Sequence, residues 1–136
     1  MPYFLDTNIF LRFLIKENKK TFNDCERLFS LIEQGKIKAV VSSYVMAEIV
    51  WVLLSFYKFD KNKIIEALRV FQAAGISIKD QVDFNLTLIL FEKYKVKFID
   101  CLIASQKAVQ NKKMTIISYD QDFDKFRVKR IEPDQI

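Results

Sequence analysis

The stretch Tyr3-Phe4-Leu5-Asp6-Thr7-Asn8-Ile9-Phe10-Leu11-Arg12-Phe13-Leu14 decides the fold class. A short apolar run, Pro2 to Leu5, stops at an aspartate. From Thr7 to Lys16 the apolar residues Ile9, Phe10, Phe13 and Leu14 recur at helical spacing. A short strand thus passes directly into a helix. The same alternation returns along the chain. Thr21–Glu33 is helical through Cys25, Leu28, Phe29 and Ile32, with Gly35 as its C-cap. Lys38–Val41 is a β-branched strand, and Ser43 caps a helix to about Tyr57. Asp60 caps the next helix, through Ile64, Leu68 and Phe71, before Gly75 and a brief strand at Ile76–Ile78. Gln81–Tyr94 and Ile99–Gln110 read as helices. Met114–Ser118 reads as a strand, Asp122–Phe126 as a helical turn and Val128–Ile131 as an edge strand. Strands separated by helices point to an α/β fold, with a mainly parallel central sheet covered on both faces.

The 136 residues fit one domain, 1–136, with material for a sizeable core. A hydrophobic share of 51% beside 29% charged residues is that of an ordinary globular chain. The net charge of +5 suits a polyanionic partner, and equally suits solvated lysines on helix faces. Cys25 and Cys101 fit no metal or redox spacing and read as reduced, buried thiols of a cytoplasmic protein. No basic segment precedes the first apolar run, which argues against a signal peptide. The apolar segment Ala39–Tyr57 carries Ser42, Ser43 and Glu48, which favours a buried strand and core helix over a membrane span.

Four acidic residues interrupt or follow apolar runs: Asp6, Glu48, Asp100 and Asp120. Each has a plain structural role open to it. Asp6 suits a cap for the helix at Thr7, Asp100 a cap ahead of Ile103-Ala104, and Asp120 and Asp122 turn positions after a strand. Glu48 is harder to dismiss, because Val45, Ala47, Ile49, Val50 and Val52 surround it on its helix. Asp6 and Asp120 stand at or just past the carboxyl ends of strands, where open parallel sheets bind ligands. Buried carboxylates call for partners or a metal, and oxygen ligands suit a hard divalent cation.

The ordered motifs also resemble those of PIN-domain ribonucleases. Asp6-Thr7-Asn8 after the first strand looks like the opening motif of that family. Glu48 in Ser43-Tyr44-Val45-Met46-Ala47-Glu48 looks like its helix glutamate. Phe98-Ile99-Asp100-Cys101-Leu102-Ile103-Ala104 and Ser118-Tyr119-Asp120-Gln121-Asp122-Phe123 are similar to its third and fourth motifs. Cys101 stands where alanine is common, and Ser118 where threonine is usual. The resemblance spans essentially the whole chain. It implies a three-layer α/β/α sandwich and a Mg²⁺- or Mn²⁺-dependent endoribonuclease. Small members of this kind are mostly VapC-like toxins of type II toxin–antitoxin pairs, homodimeric and inhibited by a cognate antitoxin.

The site expected from these residues has Asp6 and Asp100 as direct metal ligands, completed by Glu48 and Asp120. Asp120 rather than Asp122 is taken as the fourth acid, because it is nearer the strand end. Asn8, Ser118 and Asp122 are expected to support the ligands. Arg12 and Lys16 are candidates for substrate phosphates, or ordinary solvated charges. Histidine is absent, so imidazole chemistry is excluded; no glycine-rich phosphate loop is present. A dimer surface is expected on the helices around Val50–Tyr57 and Ile64–Phe71, where aromatic residues exceed one core-facing stripe. Two alternatives stand beside the nuclease. One is a non-catalytic module of the same fold that binds RNA or protein. The other is an aspartate-based phosphatase using Asp6, which would want a second aspartate where Asn8 stands.

Overall fold

The computed structural model describes residues 1–136. Five strands form one sheet: β1 (Tyr3–Leu5), β2 (Ala39–Val41), β3 (Ser77–Ile78), β4 (Thr115–Ile117) and β5 (Arg130–Ile131). Their spatial order is β3-β2-β1-β4-β5, and every pairing is parallel. The helices are α1 (Thr7–Ile15), α2 (Lys19–Glu33), α3 (Ser43–Ser55), α4 (Lys61–Ala73), α5 (Phe84–Lys93), α6 (Phe98–Ser105) and α7 (Lys107–Gln110). A 3-10 turn at Gln121–Phe126 joins β4 to β5.

The strand order reverses direction once. From β1 the chain moves outward through β2 to β3, then returns past β1 to β4 and β5. Right-handed crossovers put α1–α4 on one face of the sheet and α5–α7 on the other. The packing agrees: α1 packs on α2 and α3, and α3 on α4, whereas α5 packs on α6 and α6 on α7. This is the expected three-layer architecture. Burial on both faces makes β2 wholly apolar, and β2 and β4 buried at every position rather than alternating. On the α1–α4 face, Phe10, Phe13, Phe29 and Phe71 form an aromatic cluster, with Phe10 edge-on to Phe71 at 4.9 Å. No helix is long and apolar enough to cross a membrane.

Several boundaries differ from the sequence reading, each for a local reason. The cap of α3 is Ser42, not Ser43; its side chain accepts from the Val45 amide at 3.1 Å. Asn18 caps α2, which therefore begins two residues before Thr21. Asp83 caps α5, so that helix starts at Phe84 rather than Gln81. The stretch after Asp100 is broken at Gln106, whose extended backbone separates α6 from α7. Gly35, at φ +72°, ends α2 in a conformation that favours glycine. On the two helices expected to carry a dimer surface, Trp51, Leu54 and Phe56 are exposed, whereas Ile64 and Phe71 turn into the core.

Candidate active site

The register of the sheet builds the site. Leu5 pairs with Ile117, so the next residues, Asp6 and Ser118, emerge side by side at the carboxyl ends of β1 and β4. This is where the strand order reverses, and the diverging crossovers leave a crevice there. Asp6 is 3% exposed and fully engaged. One carboxylate oxygen accepts from the Thr7 amide at 2.8 Å. The other accepts from Ser118 Oγ at 2.6 Å and from Asn8 Nδ2 at 3.3 Å. Asn8 Nδ2 also reaches Ser118 Oγ, and its Oδ1 accepts from the Tyr119 amide. Burial raises the Asp6 carboxyl above its ordinary range, opposed by the bonds from Ser118 and Thr7.

Asp100 is the opposite case. It lies in the first turn of α6, not at its cap, and is fully buried. Neither carboxylate oxygen has a hydrogen-bond partner. Burial, followed by the charge of Asp6, pushes its pKa up to about 8. Its oxygens approach those of Asp120 and Asp122: one from each residue lies within 4.8 Å of the others. Asp120 caps the 3-10 turn by accepting from the Asp122 amide at 2.9 Å. That turn swings Asp122 back toward Asp100, so both acids of the fourth motif face the crevice. Asp6 and Glu48 lie outside this group of three. They remain coupled to it, since the charge of Glu48 acts on Asp6 and that of Asp6 on Asp100.

A carboxylate buried without a hydrogen-bond donor is unfavourable unless a proton or cation neutralises it. Three carboxylates offering oxygens at one point fit a hard divalent ion such as Mg²⁺ or Mn²⁺ and fit soft metals poorly.

Some residues near the site were not singled out in the sequence. Lys97, immediately before α6, brings Nζ to 3.9 Å from Asp120 Oδ2. Arg130 donates to the Ser118 carbonyl at 2.8 Å and pairs with Asp124 and Glu132, which fixes the loop carrying Asp120 and Asp122. Tyr44, on the same helix as Glu48, has a buried hydroxyl without a partner, and burial raises its pKa to about 12. Thr7 Oγ1 is likewise buried and unpartnered. Of the two substrate candidates, Arg12 lies over the Tyr119 ring at 5.8 Å, next to Asp120, and borders a cavity of about 240 Å³ with Asn8. Lys16 leans instead on Phe22 of α2 at 5.1 Å.

The family model of the PIN domain matches residues 3–129. The chain belongs to the PIN domain family. Its all-parallel sheet and flanking helices are those of that fold. The VapC ribonuclease of Aquifex aeolicus (strain VF5) is 29% identical over 135 residues, 95% of each chain. The crystal structure of VapBC2 from Rickettsia felis, bound to a DNA fragment from their promoter, matches with a TM-score of 0.68 at 23% identity. That match covers 97% of this chain and 98% of that one. The motifs at Asp6, Glu48, Asp100 and Asp120 all lie within the matched region.

Proposed function

We propose that this PIN-domain protein is a divalent-metal-dependent endoribonuclease, the toxin half of a toxin–antitoxin pair, with residues 1–136 acting as one domain in the cytoplasm. The observation that carries the reading is Asp100: fully buried, unpartnered at both oxygens, and facing Asp120 and Asp122 at the switch point of the sheet. The similarity to a VapC ribonuclease and to a VapBC structure supports the class of activity and the kind of partner.

Asp100, Asp120 and Asp122 would hold Mg²⁺ or Mn²⁺, with Asp6 and Glu48 adding negative charge behind them. A bound ion of this kind lowers the pKa of its water and polarises a phosphoryl oxygen. The chain's own part is to orient. Ser118 and Asn8 fix the Asp6 carboxylate, and Arg130 fixes the loop beyond. Arg12 offers positive charge beside the site for an RNA phosphate. Asn8 donates to Asp6 and carries no acid proton, so it does not fill the second acidic position that an aspartate-based phosphatase needs.

The test is cleavage of a mixed RNA pool by purified protein with Mg²⁺, with Mn²⁺ and with EDTA, beside an Asp100→Asn control. Metal-dependent cutting absent from the variant sustains the reading; cutting that persists in EDTA sinks it. Comparing RNA with DNA oligonucleotides checks the substrate.

Two further outcomes are expected. Ser118→Ala removes the hydroxyl that accepts from the Asp120 amide at 2.9 Å and donates to Asp6 at 2.6 Å, and weakens Mn²⁺ binding about tenfold, the usual scale for groups behind metal ligands. Calorimetric titration measures this, and unchanged affinity would remove Ser118 from the site. Arg12→Ala lowers RNA affinity and reduces its dependence on log salt by about one unit, whereas Lys16→Ala has a smaller effect. Equal salt slopes for both variants would contradict the placement of RNA along Arg12.

Homodimerisation is part of the proposal. Trp51, Leu54 and Phe56 on and after α3 are 66%, 45% and 74% exposed, an apolar surface of the kind that associates. Sedimentation of a Trp51→Glu variant as monomer, beside a dimeric wild type, is the expected result.

A further inference from the structure

Lys97 occupies a position that local physics assigns to other residues. It is the N-cap of α6, where Ser, Thr, Asp or Asn accept from the free amides of the first turn. A lysine has no acceptor to offer, and no side-chain cap bond is present. Its charge also sits at the positive end of the helix dipole. Both terms disfavour it there.

The acidic site supplies what offsets them. Lys97 Nζ is 3.9 Å from Asp120, and the ammonium feels the charges of Asp100, Asp6, Glu48 and Asp120 together. The other ammonium paired with the group of three is Lys125, 3.0 Å from Asp122 and on the same 3-10 turn. Lys97 thus approaches from α6, the helix that carries the unpartnered Asp100. Its side chain is 63% exposed, so the flexible stem is free to leave.

We propose that Lys97 is a tethered counter-ion of the acidic site, held at the carboxylates while no metal is bound and displaced into solvent when a divalent cation enters. This rests on the metal-site reading above. Three carboxylates within 4.8 Å repel one another. A single charge on a mobile stem relieves that repulsion without satisfying it. It therefore stabilises the metal-free protein modestly and sets a threshold that the metal must exceed. Lys97 is a positioning residue, acting through the carboxylates.

The sign of one measurement separates this from a merely structural role. Damage to a metal site weakens metal binding; removal of a resident competitor tightens it. The experiment titrates the EDTA-stripped full chain with MnCl₂ by calorimetry, comparing wild type, Lys97→Gln and, as a net-charge control, Lys95→Gln. Lys97→Gln is expected to tighten Mn²⁺ binding about three- to tenfold, the scale of a partly solvated charge interaction, and Lys95→Gln to leave it within about twofold. Lys97→Arg, which keeps the charge, is expected to bind Mn²⁺ as wild type does. In thermal melting, Lys97→Gln is expected to melt lower than wild type in EDTA and level with it in saturating Mn²⁺. Equal or weaker Mn²⁺ binding by a folded Lys97→Gln protein overturns the inference while leaving the metal site intact. Absence of Mn²⁺ binding by wild type and variant alike overturns the metal reading and this inference with it.

Discussion

Asp100→Asn is expected to lower metal-dependent RNA cleavage by about a thousandfold or more, the scale of losing a fixed group at a centre of developing charge. The prediction follows from the contrast between Asp100 and its neighbours. Both Asp6 oxygens are occupied by Thr7, Ser118 and Asn8. Asp122 is paired with Lys125, and its side chain is 38% exposed. Asp100 alone of the three is fully buried with both oxygens unpartnered. Its charge therefore has no structural employment, and an isosteric amide removes the charge without removing packing. Asp122→Asn is expected to cost less, about tenfold, because water already screens that carboxylate. Initial cleavage rates at saturating Mn²⁺ measure both. A larger loss from Asp122→Asn than from Asp100→Asn would move the centre of the site onto the 3-10 turn.

The sequence was most informative where a charge broke an apolar run. Leu5-Asp6 marks the end of β1, and Asp120 lies just past the end of β4, because burial and ionisation conflict within the sheet and the chain resolves the conflict by leaving it. Glu48 stood out for the same reason, on a helix whose neighbouring positions are apolar. The strand–helix alternation then fixed a parallel sheet, and the sheet's switch point fixed where the loops converge. What stayed hidden depends on side chains meeting across the fold. Asp122 reads as a support for the ligands, second to Asp120, until the 3-10 turn is seen to fold it back toward Asp100. Lys97 is one of 22 lysines and arginines, and only its place at a helix cap distinguishes it. Arg130 reads as an edge-strand charge, yet it holds the Ser118 carbonyl. Trp51, Leu54 and Phe56 read as more apolar surface than one core-facing stripe needs, and they are exposed, whereas Ile64 and Phe71 of the neighbouring helix face the core.

The boundary errors have a common cause. Ser42 and Ser43 are chemically equivalent as caps, and strand length decides between them: β2 ends at Val41, so Ser42 takes the extended conformation. Asp100 was open to a capping role because aspartate is common at helix starts. The actual cap is a lysine, which no propensity argument selects. Local rules are broken in the one place where three carboxylates converge, and this is the expected location of function rather than of stability.

The metal-free protein is expected to lose stability as pH rises from about 4 to about 8, against the usual trend for carboxylates. In the unfolded chain an aspartate titrates near 3.9 (roughly). In the fold, burial and the charge of Asp6 push Asp100 up to about 8. Between these values the folded state holds a proton that the unfolded state has released, so stability falls as pH rises and the loss is complete above the folded pKa. Asp6 shifts in the same direction, burial outweighing its bonds to Ser118 and Thr7. Lys97 does not reverse this. Burial lowers its pKa, but the carboxylates, Asp100 foremost, outweigh burial and raise it, so its contribution is lost only in the alkaline range. The combined loss is on the order of 3 kcal/mol, after allowance for the nearby ammonium. Urea unfolding in EDTA at pH 5, 6.5 and 8 measures it. Asp100→Asn should flatten the profile and stand above wild type at pH 8. Added Mn²⁺ should stabilise wild type increasingly over the same interval, because metal binding needs the carboxylate that the rising pH deprotonates. A wild-type profile in EDTA that is flat, or that rises toward pH 8, would mean that Asp100 reaches water in solution, and the case for a metal at that carboxylate would lose its physical basis.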